Sequence, residues 1–457
     1  MLARDAQVHK SLQHSLWDGV FFSAMIGAAE SYFSAFAVFL KATTAQIGVL
    51  ASLPPLLASF MQLASAWLGR VIGRRRDIIV SGAVLQALAL VPLTVLPMLF
   101  PSLALPLLIG SAVIYYMGPN LGSPQWGSLM GELVPEARRG RFFALRTRLS
   151  SLANFSALIL AGVVLHVFDL MASAYWGFVA IFGCAAAFRL TSAWHLARMH
   201  DPSGHVAAIE APWHRDLWVG LKETGLLRFT LFFAAMQFAV AIASPFFTLY
   251  MLRDLGFSYI AFMGNTAVSV CVQFLTLNRW GRLSDVFGNR LILVTTGTLI
   301  PLLPGLWLVS TSYVYLLVVQ ALSGLVWAGF TLSASNRVYD LTPQNRRATL
   351  MAVHNVIAAA ALFLGAVTGG WLGSNLPREV TLLGTTYTWL TPLYGVFLAS
   401  TFARLVVAAI FLPRLREVRR VRNMTGRGLI FRVTRLHPVS GLVFEIVGRR
   451  RSRKPEP

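Results

Sequence analysis

The chain has 457 residues, of which 56% are hydrophobic and 12% charged, with 31 Phe, 12 Trp and a mean hydropathy of +0.64. A soluble fold would have to bury repeated runs of about 20 apolar residues, whereas runs of that length match the hydrocarbon thickness of a bilayer, so the composition describes a polytopic membrane protein. The net charge of +21 does not point to nucleic acid, because 13 of the 39 Lys and Arg lie from Pro413 onward and most others fall in alternate loops.

Only Lys41, Arg253 and Arg378 occupy the intervening loops. This positive-inside bias predicts that both termini are cytoplasmic. Arg4, Asp5 and Lys10 precede the first apolar run without a cleavable signal pattern, so the first span is expected to be retained. Cys184 and Cys271 both lie inside apolar runs and form no disulfide framework.

In chain order, the first span covers about 17–40 and carries Ser23, Gly27, Glu30 and Ser34 at helical spacing, a small and polar face expected to point into the bundle. The second, 46–68, contains Pro54 and Pro55 and is expected to bend or unwind there. A third follows over 78–100. The fourth, 103–130, holds GPNLGSPQWG at 118–127, whose Gly and Pro predict a broken helix, with Asn120, Gln125 and Trp126 supplying polar groups. The fifth contains Asn154 and the sixth covers 172–190.

Residues 191–225 read as a long internal linker. Its His195, His200, His205 and His214 lack cysteines and ligand spacing, so no metal is expected. The second half begins with 226–252, containing Gln237 and a local break at Ser244 and Pro245. Next come 259–278, with Asn265 and Gln273, then 291–310, 313–335, 348–372 with His354 and Asn355, and 391–412 with Arg404. Arg404 is expected to be structural, reaching toward cytoplasmic headgroups, against meeting an anionic solute. The basic tail, 413–457, has apolar patches at 429–431 and 442–447 that suit an anionic lipid surface; disorder is the equal alternative.

Two landmarks repeat. GRLSDVFGNR at 281–290 reads as a tight polar hairpin in which Gly281, Gly288 and Asn289 turn the chain while Arg282, Asp285 and Arg290 tie helix ends together. AWLGRVIGRR at 66–75 is its weaker copy, 215 residues earlier. ELVPEARR at 132–139 overlays DLTPQNRR at 340–347 with an offset of 208. The organisation is therefore a six-helix bundle over 1–190, the linker 191–225, a second bundle over 226–412 and the cytoplasmic tail 413–457.

With twelve spans in two halves and these paired loops, residues 15 to 412 resemble the major facilitator superfamily. The family pattern is Gly-x-x-x-Asp-x-x-Gly-Arg after the second span, often echoed after the eighth. Here Gly281, Asp285 and Gly288 keep their places, with Asn289 where arginine is usual. The earlier copy departs from the pattern, with Ala66 at the first glycine and Arg70 at the acidic position, while Gly73, Arg74 and Arg75 remain; Glu132 or Glu136 is expected to answer Arg70. The resemblance implies an all-α, twelve-helix secondary transporter of a small organic solute working by alternating access. It also implies a functional monomer in a bacterial inner membrane, with lipid and solute as partners and neither nucleic acid nor cofactor.

A carboxyl group in a bilayer span is costly to keep charged, so Glu30 is the expected carrier of a coupled proton, against a purely structural pairing with a hydroxyl. Asn120, Gln125, Trp126, Asn154, Gln237, Asn265 and Gln273 form the expected solute lining, each weighed against an ordinary helix contact. Arg70, Gly73, Arg74, Glu132, Arg138, Arg139, Gly281, Arg282, Asp285, Gly288, Arg290, Arg346 and Arg347 form the expected cytoplasmic gate, against simple charge topology. A uniporter, or a transport-inactive sensor or assembly protein, is the alternative to proton-coupled transport. No nucleotide-binding signature or catalytic constellation argues for an enzyme.

Overall fold

The apolar runs fold as helices because a chain in hydrocarbon has to pair its peptide N–H and C=O groups within itself. The computed structural model describes residues 2–134, 136–201, 225–342, 347–377, 379–382, 385–415 and 417. The first half comprises α1 (Leu2–Phe39), α2 and α3 (Thr44–Ser59, Met61–Ile72), α4 (Arg75–Leu99), α5 (Ala104–Leu133), α6 (Glu136–Leu170) and α7 (Ala174–Ala197). The second comprises α8 (Leu226–Ala241), α9 (Phe246–Leu249) with a π-helical turn (Tyr250–Asp254), α10 (Tyr259–Phe287), α11 and α12 (Asn289–Leu299, Leu302–Leu306), α13 (Tyr313–Leu341), α14 (Arg347–Asn375) and α15 (Leu393–Phe411).

Among the described residues, 11 helical stretches are long and apolar enough to cross a bilayer. The remaining span is α2 with α3, pieces of 16 and 12 residues that each fall short alone. The all-α twelve-span architecture is thus as expected, with one addition. An antiparallel ribbon, β1 (Glu379–Leu382) and β2 (Thr385–Thr388), joins α14 to α15, pairing Glu379 with Thr388. The sixth span also runs on to Ala197, past its expected end at 190.

The interruptions fall in places that proline alone does not predict. Pro54 and Pro55 lie within α2, and the second span breaks later, at Phe60. The break expected at 118–127 does not occur: α5 is continuous through Pro119 and Pro124. Its glycines serve close packing instead. A Cβ on Gly118 would lie 2.3 Å from the Gly82 carbonyl oxygen, so α4 and α5 meet backbone to backbone.

The seventh span does break where expected, after Ala241 and before α9. The Ala243 N–H turns to the Val240 carbonyl, and the Ala239 carbonyl accepts from Ser400 Oγ of α15 at 2.6 Å. In the ninth span Pro304 has no N–H to offer the Ile300 carbonyl. That oxygen accepts from Arg404 Nη1 at 3.3 Å, while Nη2 of the same guanidinium reaches the Val240 carbonyl at 3.3 Å. Arg404 is only 2% exposed. It does not extend to headgroups as the sequence suggested; it caps two broken helices from within the bundle.

Twelve spans put the start of α1 and the end of α15 on one face, here called the terminal face. The halves meet at the opposite, distal end. A Cβ on Gly48 of α2 would lie 2.7 Å from the Ala366 carbonyl oxygen of α14, and one on Gly162 of α6 would lie 2.4 Å from Met263 Cγ of α10. Tyr32 and Phe262 pack edge to face across the same seam at 6.3 Å, as do Phe178 and Tyr259 at 5.7 Å. Toward the terminal face α6 and α10 part around cavities of about 570 and 710 Å³.

Candidate functional site: the passage between the halves

The face of α1 expected to be polar divides in two. Ser23, Glu30 and Ser34 are partly exposed. Gly27 instead lets α6 approach, since a Cβ there would lie 2.2 Å from the Asn154 carbonyl oxygen. Glu30 Oε1 accepts a hydrogen bond from the Tyr115 hydroxyl of α5 at 3.0 Å. Tyr115 packs against Phe33 and Tyr116 at 5.0 and 5.2 Å, so the carboxyl group sits at an aromatic wall.

Next to this wall a chain of amides crosses between the halves. Asn120 Nδ2 donates to the Tyr116 carbonyl at 2.9 Å, Gln62 Nε2 donates to Asn120 Oδ1 at 2.8 Å, and Asn355 Nδ2 of α14 donates to Gln62 Oε1 at 3.4 Å. Gln62 follows the Phe60 break, so a discontinuity in the second span places an amide at the seam.

Asn355 opens onto a cavity of about 440 Å³ that is also lined by Gln237, His354, Phe233, Trp327 and Phe330. This cavity shares Thr331 and Ser335 with the 570 Å³ one, where Asn154 and Gln273 stand on opposite halves. Three of the expected lining amides, Asn154, Gln237 and Gln273, are therefore gathered in connected space, and Asn120 lies on the relay. Gln125 and Trp126 lie elsewhere. Gln125 is fully buried with Nε2 at 3.3 Å from the Ser65 carbonyl and hydroxyl; Trp126 lines a cavity within the first half. Asn265 is fully buried on α10, and neither amide atom has a partner among the described residues.

At the terminal face the duplicated loops turn on single glycines. Gly73 and Gly288 have φ of 71° and 82°, where a side chain would be strained. The expected polar hairpin at 281–290 is mostly helix: α10 continues through Gly281 to Phe287. Its buried face is Trp280, Ser284 and Phe287. Arg282 and Asp285 are exposed, and neither ties helix ends among the described residues. The ties come from their neighbours. Ser284 Oγ donates to Asn289 Oδ1 at 2.6 Å, Asn289 Nδ2 donates to Asp340 at 3.2 Å, and Arg290 reaches the Leu415 carbonyl at 2.6 Å through Nε and Glu417 at 2.8 Å through its backbone N–H.

The first half holds a stronger counterpart. Arg75, only 2% exposed, pairs with Asp201 at 2.6 Å and Glu132 at 2.8 Å and donates to Ser128 Oγ at 3.2 Å. Glu132 thus answers Arg75. Arg74 is exposed. The side chains of Arg70, Glu136, Arg138, Arg139 and Arg347, all of Arg346, His205 and His214, and nearly all of the tail lie outside the described residues.

From sequence Arg75 was noted only as a retained motif arginine, outside the expected gate, and Asp201 was not singled out, although their signal was present. Arg75 stands 215 residues before Arg290, and Asp201 stands 216 before Glu417. Also missed were Asp18, Arg146 and Arg189; the clue was a charge on or beside an apolar run. Among the described residues, no group of three or more His, Cys, Asp or Glu is placed to hold a metal ion.

Two helical halves, closed at one end and parted at the other around hydrogen-bonding cavities, define a secondary transporter that works by alternating access. The sequence agrees. The chain belongs to the Major Facilitator Superfamily, whose profile matches residues 19–277 and 229–451, a family of transporters and not of enzymes. The fold is similar to the crystal structure of nucleoside transporter NupG, with 15% identity, 89% of this chain and 100% of that one covered, and a TM-score of 0.65. A bacterial homologue of the iron transporter ferroportin in its inward-facing state matches with 15% identity, 88% and 98% coverage and a TM-score of 0.65. The D-xylose-proton symporter gives 15%, 91%, 99% and 0.60. In sequence, 103 residues are 33% identical to the MFS-type transporter ppz2 of Metarhizium majus (strain ARSEF 297), spanning 21% of this chain and 17% of that protein.

Proposed function

We propose that the protein carries a small, uncharged, amphipathic organic solute across a bacterial cytoplasmic membrane as a monomer, with both termini in the cytoplasm and with Glu30 carrying a coupled proton. The observation behind the solute class is the wall of the two connected cavities: amides (Asn154, Gln237, Gln273, Asn355), hydroxyls (Thr331, Ser335) and aromatic rings (Phe233, Trp327, Phe330), with no Asp, Glu, Lys or Arg among the described lining residues. Amides donate and accept, which suits a solute with both kinds of polar group; the rings suit an apolar body. A charged solute would enter such a wall without a counter-ion, at high cost.

The proton role of Glu30 rests on its position in the first span, partly exposed and held by Tyr115. On this reading the amide relay through Asn120, Gln62 and Asn355 is a latch across the seam. The terminal-face groups, with Arg70, Arg138, Arg139, Arg346 and Arg347, form the inner gate when the halves close there. The bundles 1–190 and 226–412 are the moving bodies, and the tail from 413 rests on anionic lipid.

The test is a solute-library flux assay in proteoliposomes, with and without an imposed pH gradient, comparing wild type with Glu30→Gln. Accumulation of a neutral solute that follows the gradient in wild type and loses that dependence in Glu30→Gln supports both parts. Flux indifferent to the gradient in wild type makes the protein a uniporter. No flux of any solute favours the sensor reading.

A further inference from the structure

The first half contains a second cavity, of about 190 Å³, that shares no lining residue with the passage. Five helices wall it: Asp18 and Phe22 from α1, Ile79 from α4, Pro119, Gly122, Ser123 and Trp126 from α5, Arg146 from α6, and Arg189 and Leu196 from α7. Its charges are unbalanced. Asp18, 3% exposed, accepts from Arg146 Nη2 at 2.9 Å and from Ser192 Oγ at 2.8 Å, and Arg189 Nη1 stands 3.9 Å away.

Among the described residues one carboxylate therefore answers two guanidiniums, and the described lining carries a net positive charge inside a membrane bundle. Arg189, 5% exposed, donates through Nε to Gln86 Oε1 at 2.7 Å and through Nη1 to Ser192 Oγ at 2.6 Å, with the Phe22 ring centre 4.6 Å from its guanidinium carbon. Arg146 Nε donates to the Ser15 carbonyl at 3.1 Å, and its guanidinium lies 4.5 Å from the Trp126 ring centre. Trp126 Nε1–H is buried on the same wall and has no acceptor among the described residues. Indole only donates. A water molecule would satisfy that N–H, but it supplies no charge to balance the second arginine.

We infer that this cavity is a binding site for a small organic monoanion, its carboxylate answering Arg146 and the Trp126 indole and its apolar body lying against Phe22, Ile79, Pro119 and Leu196. The volume fits a compact molecule, below the range of about 300–1,000 Å³ that holds drug-sized ligands. The preference for charge separates this site from the two connected cavities of the passage, whose described lining residues carry none.

The experiment measures equilibrium binding of radiolabelled benzoate, phenylacetate and hexanoate to the full-length protein in nanodiscs, with unlabelled 2-phenylethanol as the uncharged competitor. At least one acid is expected to bind saturably, near one per protein, without displacement by the alcohol. Trp126→Phe keeps the ring and removes the donor, and should weaken binding about tenfold, as for a hydrogen bond to a charged group. Arg146→Gln should weaken it at least as much, and Gln237→Ala, in the passage, should leave it unchanged. Should Arg146→Gln fail to fold, Trp126→Phe alone decides. Absence of binding by all three acids, equal competition by the alcohol, indifference to Trp126→Phe, or loss in Gln237→Ala would overturn the assignment.

Discussion

Glu30 and Arg404 are both ionisable side chains within membrane spans, and the structure gives them opposite settings. Glu30 has one hydrogen bond, from Tyr115, and retains some exposure. Glu30→Gln is expected to keep the fold and abolish pH-gradient-driven solute accumulation while downhill exchange persists, as read by vesicle flux. Tyr115→Phe should leave coupling intact but shift its pH dependence. Arg404 has no exposure to exploit, and its guanidinium caps the carbonyls of Val240 and Ile300 at two breaks. Arg404→Ala leaves those oxygens without this donor and opens a cavity. The expected loss is roughly 2–4 kcal/mol, seen as a lower melting temperature of the solubilised protein with no change in solute selectivity. Sequence reading identified Glu30 because acidity in a span is visible in one dimension. The capping by Arg404 was invisible, since its two acceptors lie 104 and 164 residues away along the chain.

Among the elements, the two terminal-face junctions are unequal copies. Arg75 is buried between Asp201 and Glu132, whereas Arg290 is exposed and meets a carbonyl and Glu417. Removing Arg75 takes several charged hydrogen bonds from Asp201, 11% exposed, and Glu132, 36% exposed, at about 2–3 kcal/mol, while Arg290→Ala loses one exposed side-chain bond to a carbonyl, about 0.5–1 kcal/mol, and keeps the backbone N–H to Glu417. Arg75→Ala should therefore cut folded yield and melting temperature sharply, and Arg290→Ala only slightly. Equal effects would show that burial does not set the difference. The duplication was legible because Gly73 and Gly288 keep the 215-residue spacing. The working residues were not, because α10 continues to Phe287 and its helical period turns Ser284 inward and Arg282 and Asp285 outward. The continuity of α5 was missed for a related reason. Gly and Pro read as breakers in water, but in a bundle neighbouring helices accept them, and the Gly82 and Gly118 contact uses the absence of a side chain.

For the whole molecule, the twelve-span plan was readable since each run of apolar residues is its own signal; the state of the passage was not, because it depends on which ends touch. Distal closure rests on glycines at the seam. Gly162→Val puts methyl groups where Met263 stands 2.4 Å from even a Cβ, so the variant should favour distal opening and terminal closure. Native Cys271 lines the 570 Å³ cavity and reports this directly. In a Cys184→Ser background, a membrane-impermeant thiol reagent applied at the terminal face should label Cys271 in the wild-type passage and label it more slowly in Gly162→Val.

The Arg75 cluster also bears on how the polypeptide is wired. Asp201 moors the exit of α7 to the start of α4, and Glu417 moors the stretch after α15 to the start of α11. Each six-helix unit thereby fastens its own last strand of chain to itself. Covalent continuity between the units then becomes a convenience of synthesis. Two separately translated pieces, 1–201 and 225–457, should find one another in the same membrane and co-purify as a working pair.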